Sequence, residues 1–245
     1  VSLWLAVNRY FVDVSHPFTR LLPAKYSLKH PQLYDFWVRL RSHAWKLKGV
    51  DTVLTALHAG GYRDLYAYRF DWDHQKSSLF IDFPALFGAA HGTDIAFVTG
   101  NFTYGPISSY IYPEGLKRDQ MQRTIMGSWS SFARTGNPSK QKSFRWDSYK
   151  PDKPIFLQLD IDTNLRQALE KASITSLLDE VANSPIPSEM ERCHIVWEIH
   201  TNVGNNDQQG YRDWDNGRCK NIDIPTEQSN LADKLIAEYG SVEIL

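Results

Sequence analysis

The chain has 245 residues, of which 42% are hydrophobic, 22% charged and 13% aromatic, with 27 Lys and Arg against 28 acids and a formal net charge of -1. That length suffices to bury a full core, as one large α/β domain or two small ones. The charge balance gives no reason to expect a nucleic acid or an anionic membrane as partner, since both need a clustered positive field, and no apolar run is long enough to span a bilayer.

In chain order, the opening VSLWLAVNRYFVD is apolar but lacks a basic leader and a small-residue cleavage site, so it reads as the middle of a fold rather than a signal peptide. Pro31–Trp45 places Leu33, Phe36, Trp37 and Leu40 on one face and predicts an amphipathic helix. A second helix is expected over Asp51–His58, stopped at Gly60-Gly61. Leu65–Trp72 (LYAYRFDW) alternates aromatics with smaller residues and reads as a buried strand. The following DHQKSSLFIDFPALFGAAHG is too irregular for one element and reads as a long loop ending near a histidine. Arg118–Arg134 is the clearest helix, with Met121, Ile125, Trp129 and Phe132 at helical spacing and Gly136 at its left-handed end. Asn137-Pro138 prevents its continuation. A tryptophan turn (FRWDSY), a short strand at Ile155–Leu159 and a helix over Asn164–Val181 come next. The polar tail from Asn183 predicts a surface excursion with one short helix at Leu231–Glu238. No linker marks a second domain, so residues 1–245 read as one domain.

Eight histidines are candidates for chemistry: His16, His30, His43, His58, His74, His91, His194 and His200. His16 and His30 precede prolines and read as turn residues, whereas His43 and His58 fall in helical stretches and read as structural. The nearest approach to a zinc pattern is Cys193, His194, His200 and Cys219, but Cys193 and His194 are neighbours and would point apart, so no metal is expected. The two cysteines fit either a disulfide, worth about 3 kcal/mol, or two free thiols in a reducing compartment. No serine has glycine both two before and two after it, so the G-x-S-x-G nucleophile elbow is absent. No phosphate loop or dinucleotide fingerprint occurs, and no cofactor is expected. Asn101-Phe-Thr103 is the single glycosylation triplet. His91, within GAAHGTDIAFVTG (Gly88–Gly100), taken alone reads as a loop-packing histidine.

That run, however, resembles the histidine segment of type-B carboxylesterases, the cholinesterase-like branch of the α/β-hydrolases. YAYRFDW resembles the strand before it, WSSFARTGNPS (Trp129–Ser139) the helix and turn after it, and RWDSY with FLQLD (Phe156–Asp160) the next landmarks in order. The resemblance covers about Leu65 to Asp160. It implies the C-terminal half of an α/β-hydrolase fold, a mostly parallel sheet with helices on both faces. It also implies hydrolysis of a small-molecule carboxylic ester through an acyl-enzyme, with His91 as catalytic base and acid. An imidazole suits both tasks because it titrates near neutral pH. Asp94 matches an acidic position of the family pattern, as support for the imidazole or as a loop-stabilising turn. Family order is serine, acid, histidine. Val1-Ser-Leu-Trp-Leu resembles the run that follows the family's acid, so serine and acid are expected on a missing N-terminal half, without which this chain is inactive. Non-catalytic, adhesion-type relatives on the same fold, or an inactive truncated fragment, are the alternative. Phe83, Phe87, Phe102 and Tyr104 are candidates for a pocket wall, with core packing as their other use.

Overall fold

The computed structural model describes residues 9–15, 24–139, 144–160 and 165–242. The opening run Val1–Leu5, the turn at His16 and position Asn164 lie outside them. The chain forms two compact units, one built mainly from Leu54–Lys171 and the other mainly from Leu28–Val53 and Ala172–Leu245. Because the chain enters each unit more than once, their boundary is not one linker that composition could reveal. A two-stranded ribbon, β1 (Val12–Ser15) with β2 (Lys25–Leu28), lies near the start.

The second unit begins with α1 (Pro31–Trp45), where Pro31 occupies the first turn and His30 is the cap residue, its carbonyl accepting from the Tyr34 amide at 2.9 Å. Leu33, Tyr34, Trp37, Leu40 and Ala44 form the buried face. Phe36 is only half-buried, with the Arg39 guanidinium 5.4 Å from its ring centre. The helix runs on through one π-helical turn (Lys46–Asp51) into α2 (Thr52–Ala59), so the two expected helices are joined.

The first unit carries β3 (Tyr68–Phe70), α3 (Phe83–Phe87), α4 (Ile95–Thr99), α5 (Ser108–Ile111), α6 (Leu116–Thr135), β4 (Ile155–Leu159) and β5 (Arg166–Leu169). β4 is central: β3 pairs parallel with it, Tyr68 opposite Leu157, and β5 pairs antiparallel, Ile155 opposite Leu169. Its sequence, IFLQL, is apolar at every position but one, and Ile155, Phe156, Leu157 and Leu159 are buried. The described sheet is thus small and mixed, with one parallel and one antiparallel pairing. The strand expected over Leu65–Trp72 contracts to Tyr68–Phe70, and among the described strands it is an edge rather than a buried strand. Its ends remain tied, Leu65 accepting from Tyr149 at 2.6 Å and Ala67 from Leu157 at 2.9 Å. In α6 the buried stripe is Met121, Ile125, Ser128 and Ser131, whereas Phe132 is exposed. Gly136 adopts the left-handed end, φ 70°, its amide bonded to the Phe132 carbonyl at 2.8 Å.

Two further expectations fail, each for a physical reason. The helix expected over Asn164–Val181 is instead β5 followed by α7 (Ile174–Asn183). β4 offers its free edge to residues 166–169, and strand pairing overrides local helix preference. Ser173 then starts α7, its hydroxyl accepting from the Ser176 amide at 3.0 Å while Ser176 bonds back to the Ser173 amide at 2.9 Å.

The polar tail is no excursion. It contains α8 (Glu189–Thr201), α9 (Gln208–Gly217) and α10 (Ile224–Tyr239), and α8 supplies buried Cys193, Ile195, Val196 and Ile199 to the second unit's core. Two cations cap helix ends in this unit. Lys48 Nζ donates to the carbonyls of Ile199, His200 and Asn205 at 3.2, 2.7 and 3.3 Å, closing α8. Buried Arg192 does the same for α7, donating to the carbonyls of Val181, Ala182 and Ser184.

Cys193 and Cys219 form a disulfide across a sequence separation of 26, which settles the open choice at those residues. Closing a loop of that size removes unfolded-state entropy worth about 3 kcal/mol. Cys219→Ser should therefore lower the second unit's unfolding free energy by about that amount. A urea titration followed by circular dichroism reads it, and an unchanged midpoint would show the bond to be energetically idle.

Candidate active site

The parallel pairing of β3 with β4 makes everything between them one crossover connection, and His91 sits on it. Asp82 starts α3, its carboxylate accepting from the Ala85 amide at 3.3 Å. The helix ends at Gly88, and the chain turns through residues 91–94 into α4.

Within that turn, Ala90 and Thr93 are buried and His91 between them is exposed. The burial is made by specific bonds. Thr93 Oγ1 donates to the Ala90 carbonyl at 2.6 Å, and the Thr93 amide reaches the same oxygen at 3.2 Å. Tyr112 Oη donates to the Thr93 carbonyl at 3.1 Å. Buried Gln75 donates through Nε2 to the Gly88 carbonyl at 2.7 Å and the Trp72 carbonyl at 3.2 Å. Gly92 has φ 85°, and a Cβ there would meet nothing within 4 Å, so glycine is required by conformation and not by space.

Beneath the turn, Phe97 on α4 is wholly buried. Its ring lies 4.8 Å from Trp72, 5.7 Å from Phe70, 5.1 Å from Phe102 and 5.7 Å from Tyr112, all centre to centre. Asp94, at the start of α4, makes no side-chain cap; its carboxylate accepts from Tyr68 Oη at 2.8 Å. This bond ties the histidine turn to β3. Burial, then the Asp94 charge and hydrogen bond, push the Tyr68 hydroxyl above its ordinary titration range.

The other expected site residues separate. Phe83 and Phe87 are core, with Phe83 stacked on Tyr110 at 5.2 Å. Phe102 packs on Phe97 under the Arg118 guanidinium at 4.6 Å, and Tyr104 is exposed. Cys193 and Cys219, in their disulfide, are lost to any metal, and His200 Nδ1 pairs with Asp207 at 3.0 Å. Among the described residues, Asp73, His74 and Asp160 bring ligand atoms within 4.8 Å of one another, and the Lys117 ammonium lies 3.3 Å from His74 Nδ1. Tyr68, Gln75 and Tyr112 were not picked out as site residues. Their bonds join positions up to 26 apart, and no spacing rule signals them.

Residues 38–176 match the Carboxylesterase family. The chain is 32% identical over 117 residues to the acetylcholinesterase of Bungarus fasciatus, covering 45% of this chain and 17% of that one. It is 30% identical over 130 residues to human carboxylesterase 5A, covering 51% and 21%. The para-nitrobenzyl esterase of Bacillus subtilis is 29% identical over 114 residues, covering 42% and 19%. A solved thermophilic pNB esterase aligns at 26% identity with a TM-score of 0.31, over 43% of this chain and 19% of that one. The chain thus spans about a fifth of the length of the relatives it matches.

The raised Tyr68 pKa has a sign that can be tested. A hydroxyl held neutral by the fold stabilises fully below its unfolded pKa near 10.0, and that stability is lost as pH rises above it. The first unit's urea midpoint should fall as pH rises above 10, and Tyr68→Phe should fall less steeply. Parallel curves for the two proteins would break the link between Tyr68 and Asp94.

Proposed function

This chain belongs to the Carboxylesterase family, whose fold is the α/β-hydrolase fold, and from that premise we propose that it supplies the catalytic histidine, His91, of a carboxylic ester hydrolase. One observation carries the reading: His91 is exposed on a turn whose flanking residues are buried and hydrogen-bonded. Fixing the backbone while leaving the imidazole accessible is what a proton-transfer group requires.

The nucleophilic serine, the triad acid and the oxyanion-hole backbone come from polypeptide outside these 245 residues. As the serine oxygen attacks the ester carbonyl carbon, the His91 imidazole takes the hydroxyl proton. The tetrahedral adduct collapses, the bond to the alcohol oxygen breaks, and the imidazolium returns its proton to that leaving oxygen. Water then repeats the sequence on the acyl-enzyme, releasing the acid and regenerating the serine. No cofactor enters this scheme. The substrate is a small-molecule carboxylic ester. Asp94 holds the turn that carries His91 to Tyr68.

The missing half is also expected to pair with the sheet, since β3 has a partner on one side only among the described strands. The test compares three proteins on a short-chain nitrophenyl ester: the longer polypeptide including sequence upstream of Val1, the same protein with His91→Ala, and this chain alone. The longer protein should turn over, and the substitution should cost at least about a thousandfold in kcat. This chain alone should show no saturable activity. Full turnover with alanine at position 91 would sink the assignment.

A further inference from the structure

The second unit contains a cavity of about 290 Å³ that the esterase reading does not use. Its walls include Tyr10, Phe11, Trp37, Met190 and Leu231. The aromatic rings stand edge to face: Tyr10 on Phe11 at 4.8 Å and 90°, Phe11 on Trp37 at 5.2 Å and 86°. For scale, a dry apolar cavity of roughly 150 Å³ takes benzene. Twice that volume between aromatic walls suits two fused rings.

The polar groups narrow the guest further. Glu191 is occupied, accepting from Tyr10 Oη and from Ser188 Oγ. His194 is held well below its usual pKa, at about 4, first by burial and then by Arg41, so its imidazole is uncharged at neutral pH. Gln228 Nε2 lies 2.6 Å from His194 Nε2, which commits the amide nitrogen as donor and leaves the amide oxygen with accepting capacity. At the rim, exposed Glu227 and Lys234 carry opposite charges. The mouth thus presents no net charge to favour an ionic guest, whereas a neutral guest with one donor has an acceptor in Gln228.

We propose that this cavity is a binding site for a neutral fused-ring aromatic molecule carrying one hydrogen-bond donor, of the naphthol or indole class. The site is separate from His91 and stands whether or not the parent protein hydrolyses esters.

The test uses the full chain with its disulfide intact, titrated with 2-naphthol and with naphthalene, and read by calorimetry and saturation-transfer NMR. One saturable site is expected, with naphthalene and the Gln228→Ala variant each about five- to tenfold weaker, the size of one hydrogen bond. Leu231→Trp and Met190→Trp should each fill the cavity and abolish binding, and circular dichroism checks that both keep their helices. No saturable binding, or binding that both filling variants leave unchanged, would overturn the site. Equal affinity for naphthol and naphthalene would overturn the donor requirement.

Discussion

The packing of four aromatic rings around Phe97 is the contact on which the rest of the first unit depends. It presses α4 against the end of β3 and Trp72, and α4 carries the turn that presents His91. Hydrogen bonds alone would not place that turn, because each contributes only about 1 kcal/mol net and could be replaced by water. A buried phenylalanine contributes several times as much, and its contacts cannot be taken over by solvent. The bonds from Tyr112, Gln75 and Tyr68 then select one conformation within the volume that the rings define. Apolar packing gives the turn its location, and hydrogen bonding gives it its shape.

The same division explains what sequence could and could not reveal. Periodicity found α1 and α6, because a one-sided apolar stripe is local information. It also found β4, a short apolar run. It failed at β5, where Arg166–Leu169 is polar enough to pass for the start of a helix and is a strand because β4 needs a second partner. It failed again at α8, whose apolar residues are spread round much of its circumference and diluted by Arg192, Glu198 and His200. Those three polar groups are buried and each has a partner outside the helix: Arg192 donates to the Val181 carbonyl, Glu198 accepts from Trp37, and His200 Nδ1 pairs with Asp207. The Ser188 cap was the local signal available, its hydroxyl accepting from the Glu191 amide at 3.2 Å. At the site, the motif around His91 was legible. The tyrosines that hold it were not, because a hydroxyl that bonds across 26 residues leaves no trace in spacing.

The second unit sets a buried charge beside its own cluster of rings, Phe11 with Tyr10, Tyr34 and Trp37. Glu198 accepts from Trp37 Nε1 at 2.8 Å and faces the Arg41 guanidinium at 3.4 Å. Burial raises its pKa, while Arg41 and then Trp37 act against that shift. Removing Arg41 would leave the buried carboxylate without its counter-charge, a larger penalty than the pair's own contribution to stability. Such a network specifies which face of α8 meets α1. The same arrangement sets the Trp37 ring beside His194, 4.8 Å centre to centre, and so shapes one wall of the cavity.

The family match ends at residue 176, just inside α7, whereas the cavity's helical walls come largely from residues 190–234. Likeness to esterases therefore speaks for the histidine turn and is silent about most of the cavity. The two sites also call for opposite chemistry. The role proposed for His91 calls for access, and it stands exposed on a fixed turn. His194 is buried, held uncharged and bonded to Gln228, which makes it a wall and not a reagent. The environment around each imidazole, rather than its residue type, separates a group suited to transfer protons from one suited to hold a neutral guest.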